Sequence, residues 1–183
     1  MNFPAALSAL LLLLMGCAPT TMTTKDPANP YYMPPAGTKI QLNQPVTVPA
    51  GVARVFIQRG QLVNKMAFDR YVPSCNFEVN SLSDKPQTIA PETFLVVRVQ
   101  QEMSEVVQLE APIRVASLKL AGKNDSGLPM VTHSVHLWIG SDLQPNLRRL
   151  TCRGAFDDMP TAYPPSIIEM RAALGNIAEI ILP

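Results

Sequence analysis

The chain has 183 residues, with 15 Lys and Arg set against 14 Asp and Glu, a formal net charge of +1, and 6% aromatic residues. A near-neutral balance with scattered basic residues lacks the electrostatic footprint of a nucleic-acid binder, which excludes nucleic acid as a partner.

From Ala5 to Met15 the chain is apolar apart from Ser8. A spanning helix needs about 20 such residues at 1.5 Å per residue, so this run is too short to cross a bilayer. Leu10 to Leu14 is apolar on every face, as the hydrophobic region of a signal peptide is, whereas a core helix of this length is amphipathic. The run ends in Leu14, Met15, Gly16 and Cys17. This resembles the lipobox of bacterial lipoproteins: an aliphatic residue, a tolerant position, a small residue, then cysteine. The pattern departs from that class in one place, because positive charge before the run comes only from the α-amino group of Met1. The resemblance implies that residues 1–16 are a signal peptide and that Cys17 is the lipidation site, its thiol carrying diacylglycerol and its freed amine a fatty acid such as palmitate. Two acyl chains already anchor stably, so the protein is expected to be membrane-anchored and not spanning. Ala18, in place of the aspartate that holds such proteins at the inner membrane of enteric-type bacteria, implies the periplasmic face of the outer membrane.

Residues 17–38 follow as the lipidated cysteine and a Pro/Thr-rich tether, "APTTMTTKDPANPYYMPPAGT" after Cys17. So few aliphatic side chains cannot offset the entropy of folding, and prolines favour an extended chain of about 3.1 Å per residue. Tyr31 and Tyr32 are expected to pack on the domain at the end of this segment.

Residues 39–183 are enough for one domain with its own core. Its period is mostly two. In "MVTHSVHLWIG" Val131, His133, Val135, Leu137 and Ile139 alternate with Thr132, Ser134, His136 and Trp138, which predicts a half-buried strand. Similar runs at Ala53–Gln58, Phe94–Gln101, Ile113–Leu120 and Leu147–Arg153 are separated by short Gly, Pro, Asn and Asp punctuation, which predicts antiparallel pairing. Gly122–Pro129 reads as a hairpin connection and Arg59–Gly60 as another. Near 165–174 the period changes: Pro165 and Ser166 can start a helix, Ile167, Met170 and Leu174 form one stripe, and Gly175 can end it. "NIAEIIL" then returns as a last strand. The predicted fold is mainly β, an antiparallel β-sandwich or barrel with one short C-terminal helix.

With Cys17 acylated, only Cys75 and Cys152 remain, and an oxidising compartment makes them a disulfide pair closing a loop of nearly eighty residues. The two histidines lie three apart on one strand, so His133 and His136 face opposite ways and cannot chelate one ion. His133 is expected among Val135 and Leu137, and His136 beside Trp138. Asp125, Ser126 and Gly127 spell the D-[ST]-G of aspartic proteases, but they follow a polar stretch and have no second copy, so a turn is expected. Asp157 and Asp158 are expected in a solvated loop. No nucleophile elbow, P-loop or dinucleotide motif is present, and no catalytic residue, metal or cofactor is assigned.

The expected function is a structural or interaction module in the cell envelope, a lipid-anchored periplasmic lipoprotein with an envelope protein as partner. Its apolar strand Thr93–Val99 is the expected contact edge or face. The alternative is a carrier of a small apolar ligand or lipid, since the outline is similar to bacterial lipocalins and lipoprotein-sorting barrels, although the lipocalin G-x-W signature is missing. An enzyme ranks third. The stretch "YVPSCNFEV", Tyr71 to Val79, resembles proteobacterial lipoproteins of no known activity, from which no residue role carries over.

Overall fold

The computed structural model describes residues 24–64, 66–105 and 129–183. The fold is mainly β with one short helix near the C-terminus, as expected, and its antiparallel sheet curls into a half-barrel. In chain order the elements are β1 (Lys39–Leu42), β2 (Val46–Val48), β3 (Arg54–Gln58), β4 (Gln61–Val63), β5 (Ser74–Val79), β6 (Gln87–Ile89), β7 (Thr93–Glu105), β8 (Met130–Gly140), β9 (Leu147–Arg153), β10 (Asp157–Asp158), α1 (Ile167–Leu174) and β11 (Ala178–Ile181). The main sheet runs β11-β1-β7-β8-β9-β5-β3-β4, with β10 alongside β8, while β2 and β6 pair separately.

One face of the main sheet carries the core. Ile40, Ile57, Phe77, Phe94, Leu137, Leu150 and Ile180 are fully buried there, and Ile167, Met170 and Leu174 of α1 close over them. Helix α1 starts where the Ser166 hydroxyl accepts from the backbone N–H of Glu169 at 3.3 Å, while the Glu169 carboxylate accepts from the N–H of Ser166 at 2.8 Å, a reciprocal cap that satisfies two orphan donors. It ends at Gly175, whose φ of 54° suits glycine. That glycine sits against Gly60 in the β3–β4 turn. A Cβ on Gly175 would lie 2.5 Å from the Gly60 Cα. Arg59 and Gly60, at φ 52° and 71°, form the two-residue hairpin turn that their sequence predicts.

Cys75 and Cys152 are directly opposite each other on β5 and β9, on the core face beneath α1, with their sulphurs bonded at 2.03 Å. This is the pairing expected from the cysteine count.

Three expectations change. β8 is buried on both faces over most of its length and not half-buried, because Thr132 bonds to the Gly154 carbonyl and His136 to Thr151 of β9 and Glu102 of β7 instead of to water. β7 lies between β1 and β8, so Thr93–Val99 is not a sheet edge, although Leu95 and Val97 are exposed on its outer side. Asp157 and Asp158 are exposed, as expected, but they pair with Val131 and Met130 as a two-residue strand instead of a loop. The second half of the proline-rich segment also belongs to the domain. The Pro27 carbonyl accepts from the N–H of Ile167, the Val96 carbonyl accepts from the N–H of Gly37, and Tyr32 packs against the core while Tyr31 stays exposed. The strand expected at Ile113–Leu120 and nearly all of the connection at Gly122–Pro129 lie outside the described residues.

Candidate functional site

The opposite face of the main sheet is polar, and its register aligns side chains from five strands in rows. Arg54 of β3, Glu78 of β5, Arg149 of β9, Trp138 of β8 and Arg98 of β7 are successive cross-strand neighbours. The next row is Phe56, Asn76, Thr151, His136 and Gln100, and the one after it is Ser74, Arg153, Ser134 and Glu102. Alternation along each strand places polar residues on this face and the core residues on the other.

Two bulges alter the first row. The β5–β9 register shifts so that Arg149 pairs with Glu78 and Leu147 with Val79, which leaves Arg148 as the extra residue. The β7–β8 register shifts between Val96 and Arg98, leaving Val97 extra. A bulge re-aims side chains that strict alternation would send to the other face. Here Arg148 joins Arg149 on the polar side, and the guanidinium carbons of Arg98, Arg149 and Arg148 lie 4.2, 5.0 and 5.2 Å from the centre of the Trp138 ring. Arg54, Arg148 and Arg149 also donate to the buried Glu78 carboxylate at 3.2, 3.1 and 3.0 Å. Three cations share one carboxylate.

The second row contains a hydrogen-bond chain. Nε2 of His136 is 2.8 Å from the Glu102 carboxylate, and Nδ1 is 2.9 Å from the Thr151 hydroxyl. A carboxylate only accepts, so Nε2 carries the proton and Nδ1 accepts from Thr151 O–H. Burial pushes the His136 imidazolium pKa down, against the partial opposition of Glu102. The hydrogen bond from His136 holds the Glu102 carboxyl below its ordinary range. Arg153 is lowered chiefly by burial, then by the repulsion of Arg54.

This order of carboxylate, imidazole and hydroxyl is that of a nucleophilic triad. Here the hydroxyl and the imidazole are shielded from solvent, Thr151 being 2% exposed and His136 3%. The chain therefore locks β7, β8 and β9 in register.

At the β3–β4 end of the sheet, where it borders the polar rows at Arg54 and Phe56, lies an open groove of about 730 Å³, lined also by Thr47, Val52, Val55, Leu62 and Leu82 among others. Val52, Leu62 and Leu82 are exposed.

No known protein family, curated protein or solved structure matches this chain.

The sequence-derived residues can then be placed. Cys17, and the Asp125-Ser126-Gly127 turn, lie outside the described residues. His133 and His136 face opposite sides of β8, as the period of two requires, and His136 shares its face with Trp138. Among the described residues no three His, Cys, Asp or Glu side chains gather where one cation could be held. Sequence reading places the carboxylates in turns or beside Arg and Lys. Glu102 departs from that, because it lies on β7 and meets His136 from 34 positions away. The arginine cluster has a faint signal in the sequence, the Arg148-Arg149 pair inside the strand Leu147–Arg153, but the two bulges that assemble it have none.

Proposed function

We propose that the chain is a lipid-anchored periplasmic lipoprotein of the outer membrane, whose domain works by contact as an interaction module in the cell envelope and not as an enzyme. The lipobox-like Leu14 to Cys17 supports the anchor. The observation that carries the contact reading is a filled core combined with an open apolar groove at a sheet end. A carrier encloses its ligand, whereas here the space between α1 and the sheet is filled by fully buried side chains.

The two ends of the main sheet differ. At β11 the guanidinium of Arg171 donates to the Ile180 carbonyl at 3.0 and 2.6 Å, so the helix guards that edge. β4 ends the sheet on the other side, beside exposed Leu62, and no side chain is recorded bonding to its backbone among the described residues. An unguarded edge next to apolar pockets suits addition of an extended apolar segment from an envelope protein, with main-chain hydrogen bonds giving affinity and alternate side chains filling the groove. The runner-up is a carrier of a small apolar ligand, favoured by the size of the groove, which falls within the usual range for ligand sites.

Photo-cross-linkers placed at Leu62 and Leu82 in intact cells are expected to capture one defined envelope protein, while the same group at exposed Asp157 captures none. Co-purified lipid in the groove, with no protein captured, would support the carrier instead. The anchor is tested separately: Cys17→Ala is expected to abolish fatty-acid labelling and to leave an unprocessed chain.

A further inference from the structure

We propose that the arginine cluster around Trp138 is a binding site for a phosphate group, distinct in chemistry from the apolar groove that Arg54 also borders. Charge is the first reason. Among the described residues, Arg54, Arg98, Arg148, Arg149 and Arg153 project onto one sheet face with two carboxylates, Glu78, which pairs with three of them, and Glu102, which pairs with His136; five against two leaves an excess of three positive charges. Repulsion among them is felt within the cluster, since Arg54 and Arg149 both act against the charge on Arg153. A fold gains nothing from such an excess unless an anion relieves it.

Unused donors are the second reason. Glu78 occupies Arg54, Arg148 and Arg149, whereas Arg98 has no carboxylate within ion-pair distance among the described residues and its side chain is exposed. Trp138 Nε1 and Arg153 Nε are buried N–H groups without an acceptor. Buried donors are nearly always satisfied, and two orphan donors on one cationic face lack the same thing, an acceptor with negative charge. An oxyanion seated at the exposed Arg98 guanidinium, over the indole face, would meet the one fork that Glu78 leaves free.

The class of anion follows from the charge and the geometry. A single carboxylate would neutralise one of three surplus charges and present two oxygens. A free phosphate or a phosphate monoester carries close to two charges and three or four acceptor oxygens, which suits several planar forks arranged around the indole. The bulges at Val97 and Arg148 are what bring three forks to one indole, so the arrangement is built into the β7 and β9 backbones and does not depend on chance rotamers of surface side chains. The phosphate could be free, on a soluble ester, or on a lipid headgroup, and the test separates these.

Trp138 is the only tryptophan in the chain, so its fluorescence reports directly on the site. The protein is titrated with inorganic phosphate, and in parallel with sodium acetate, at constant ionic strength. Phosphate is expected to give a saturable change, acetate a much weaker one. Arg98→Gln, at an exposed position, is expected to weaken phosphate binding by roughly tenfold or more, the usual effect of losing a charge-assisted bond, with its circular dichroism unchanged. Arg98→Lys keeps the charge without the fork and is expected to fall between the two. Binding to vesicles containing phosphatidic acid, whose headgroup is a phosphate monoester, but not to pure phosphatidylcholine, lost in Arg98→Gln and competed by phosphate, assigns the site to a lipid headgroup. A phosphate response without vesicle binding assigns it to a soluble phosphate. Equal responses to phosphate and acetate, a response unaffected by Arg98→Gln, or no saturable response to either phosphate or vesicles overturns the proposal.

Discussion

Replacing Cys75 and Cys152 together by alanine tests how much of the fold depends on the cross-strand bond between β5 and β9. The bond joins residues 77 apart in sequence, and in the chain-entropy model closing a loop of that length removes denatured-state freedom worth about 4.5 kcal/mol. Both cysteines are essentially fully buried, so each lost sulphur forfeits burial of about a methylene, roughly 0.8 kcal/mol. The expected loss is about 6 kcal/mol, comparable to the whole stability of many domains. With an unfolding entropy of about 2.1 cal/mol/K per residue over Lys39–Pro183, this lowers Tm by roughly 15 to 20 °C. Calorimetry on the full mature chain, with the single variants as controls for free-thiol chemistry, measures it directly. Non-reducing digestion should recover the two cysteine peptides of the wild type as one mass. A Tm drop under about 5 °C would mean that strand pairing alone fixes this register and that the bond adds little. Two separate cysteine peptides from protein purified under non-reducing conditions would refute the pairing itself.

Gly175→Ala should destabilise by about 2 kcal/mol or more, because its new methyl would meet the Gly60 backbone and φ is positive there; urea titration with no shift in midpoint would contradict that packing. Glu78→Gln leaves three guanidiniums around a neutral amide, and because the Arg54 and Arg148 side chains are about two-fifths exposed the expected loss is about 2 kcal/mol, below the range for a fully buried pair; unchanged denaturant stability would show that solvent already screens the cluster. For pH, His136 has a folded-state pKa depressed below its ordinary 6.5, so the unfolded chain binds the proton more readily. Stability is then full above about pH 6.5 and falls as pH drops through that value toward the folded pKa. His136→Gln should flatten the dependence of Tm on pH between 7.5 and 5.5, and an equal slope in the variant would assign the effect to another group. Glu102, depressed instead as a carboxyl, acts in a lower window, its contribution present above its ordinary 4.5 and lost as pH falls through its folded value.

The sequence by itself determined the parts of this protein that local pattern controls. Alternation of polar and apolar residues located β8 and β9 with their observed ends, because a strand with one face on a core must repeat every two residues. Pro165, Ser166 and Gly175 bounded the helix, since its start and stop are decided within a few residues, and three cysteines less the lipobox-like Cys17 left a single pairing. The short strands β1, β2, β4 and β6 escaped notice because three or four residues carry too little periodicity, and they exist only because a neighbour supplies their hydrogen bonds. The polar face was legible still less. The polar Ser74, Asn76 and Glu78 of β5, a strand the sequence reading did not find, are all buried, because the partners they meet come from strands far away in sequence. Two one-residue register shifts then turned Arg148 toward Glu78 and Trp138 and set Val97 outward, and nothing local distinguishes a residue in a bulge from its neighbours until the opposite strand fixes the register. The candidate site is a product of register, and register is a property of the assembled sheet.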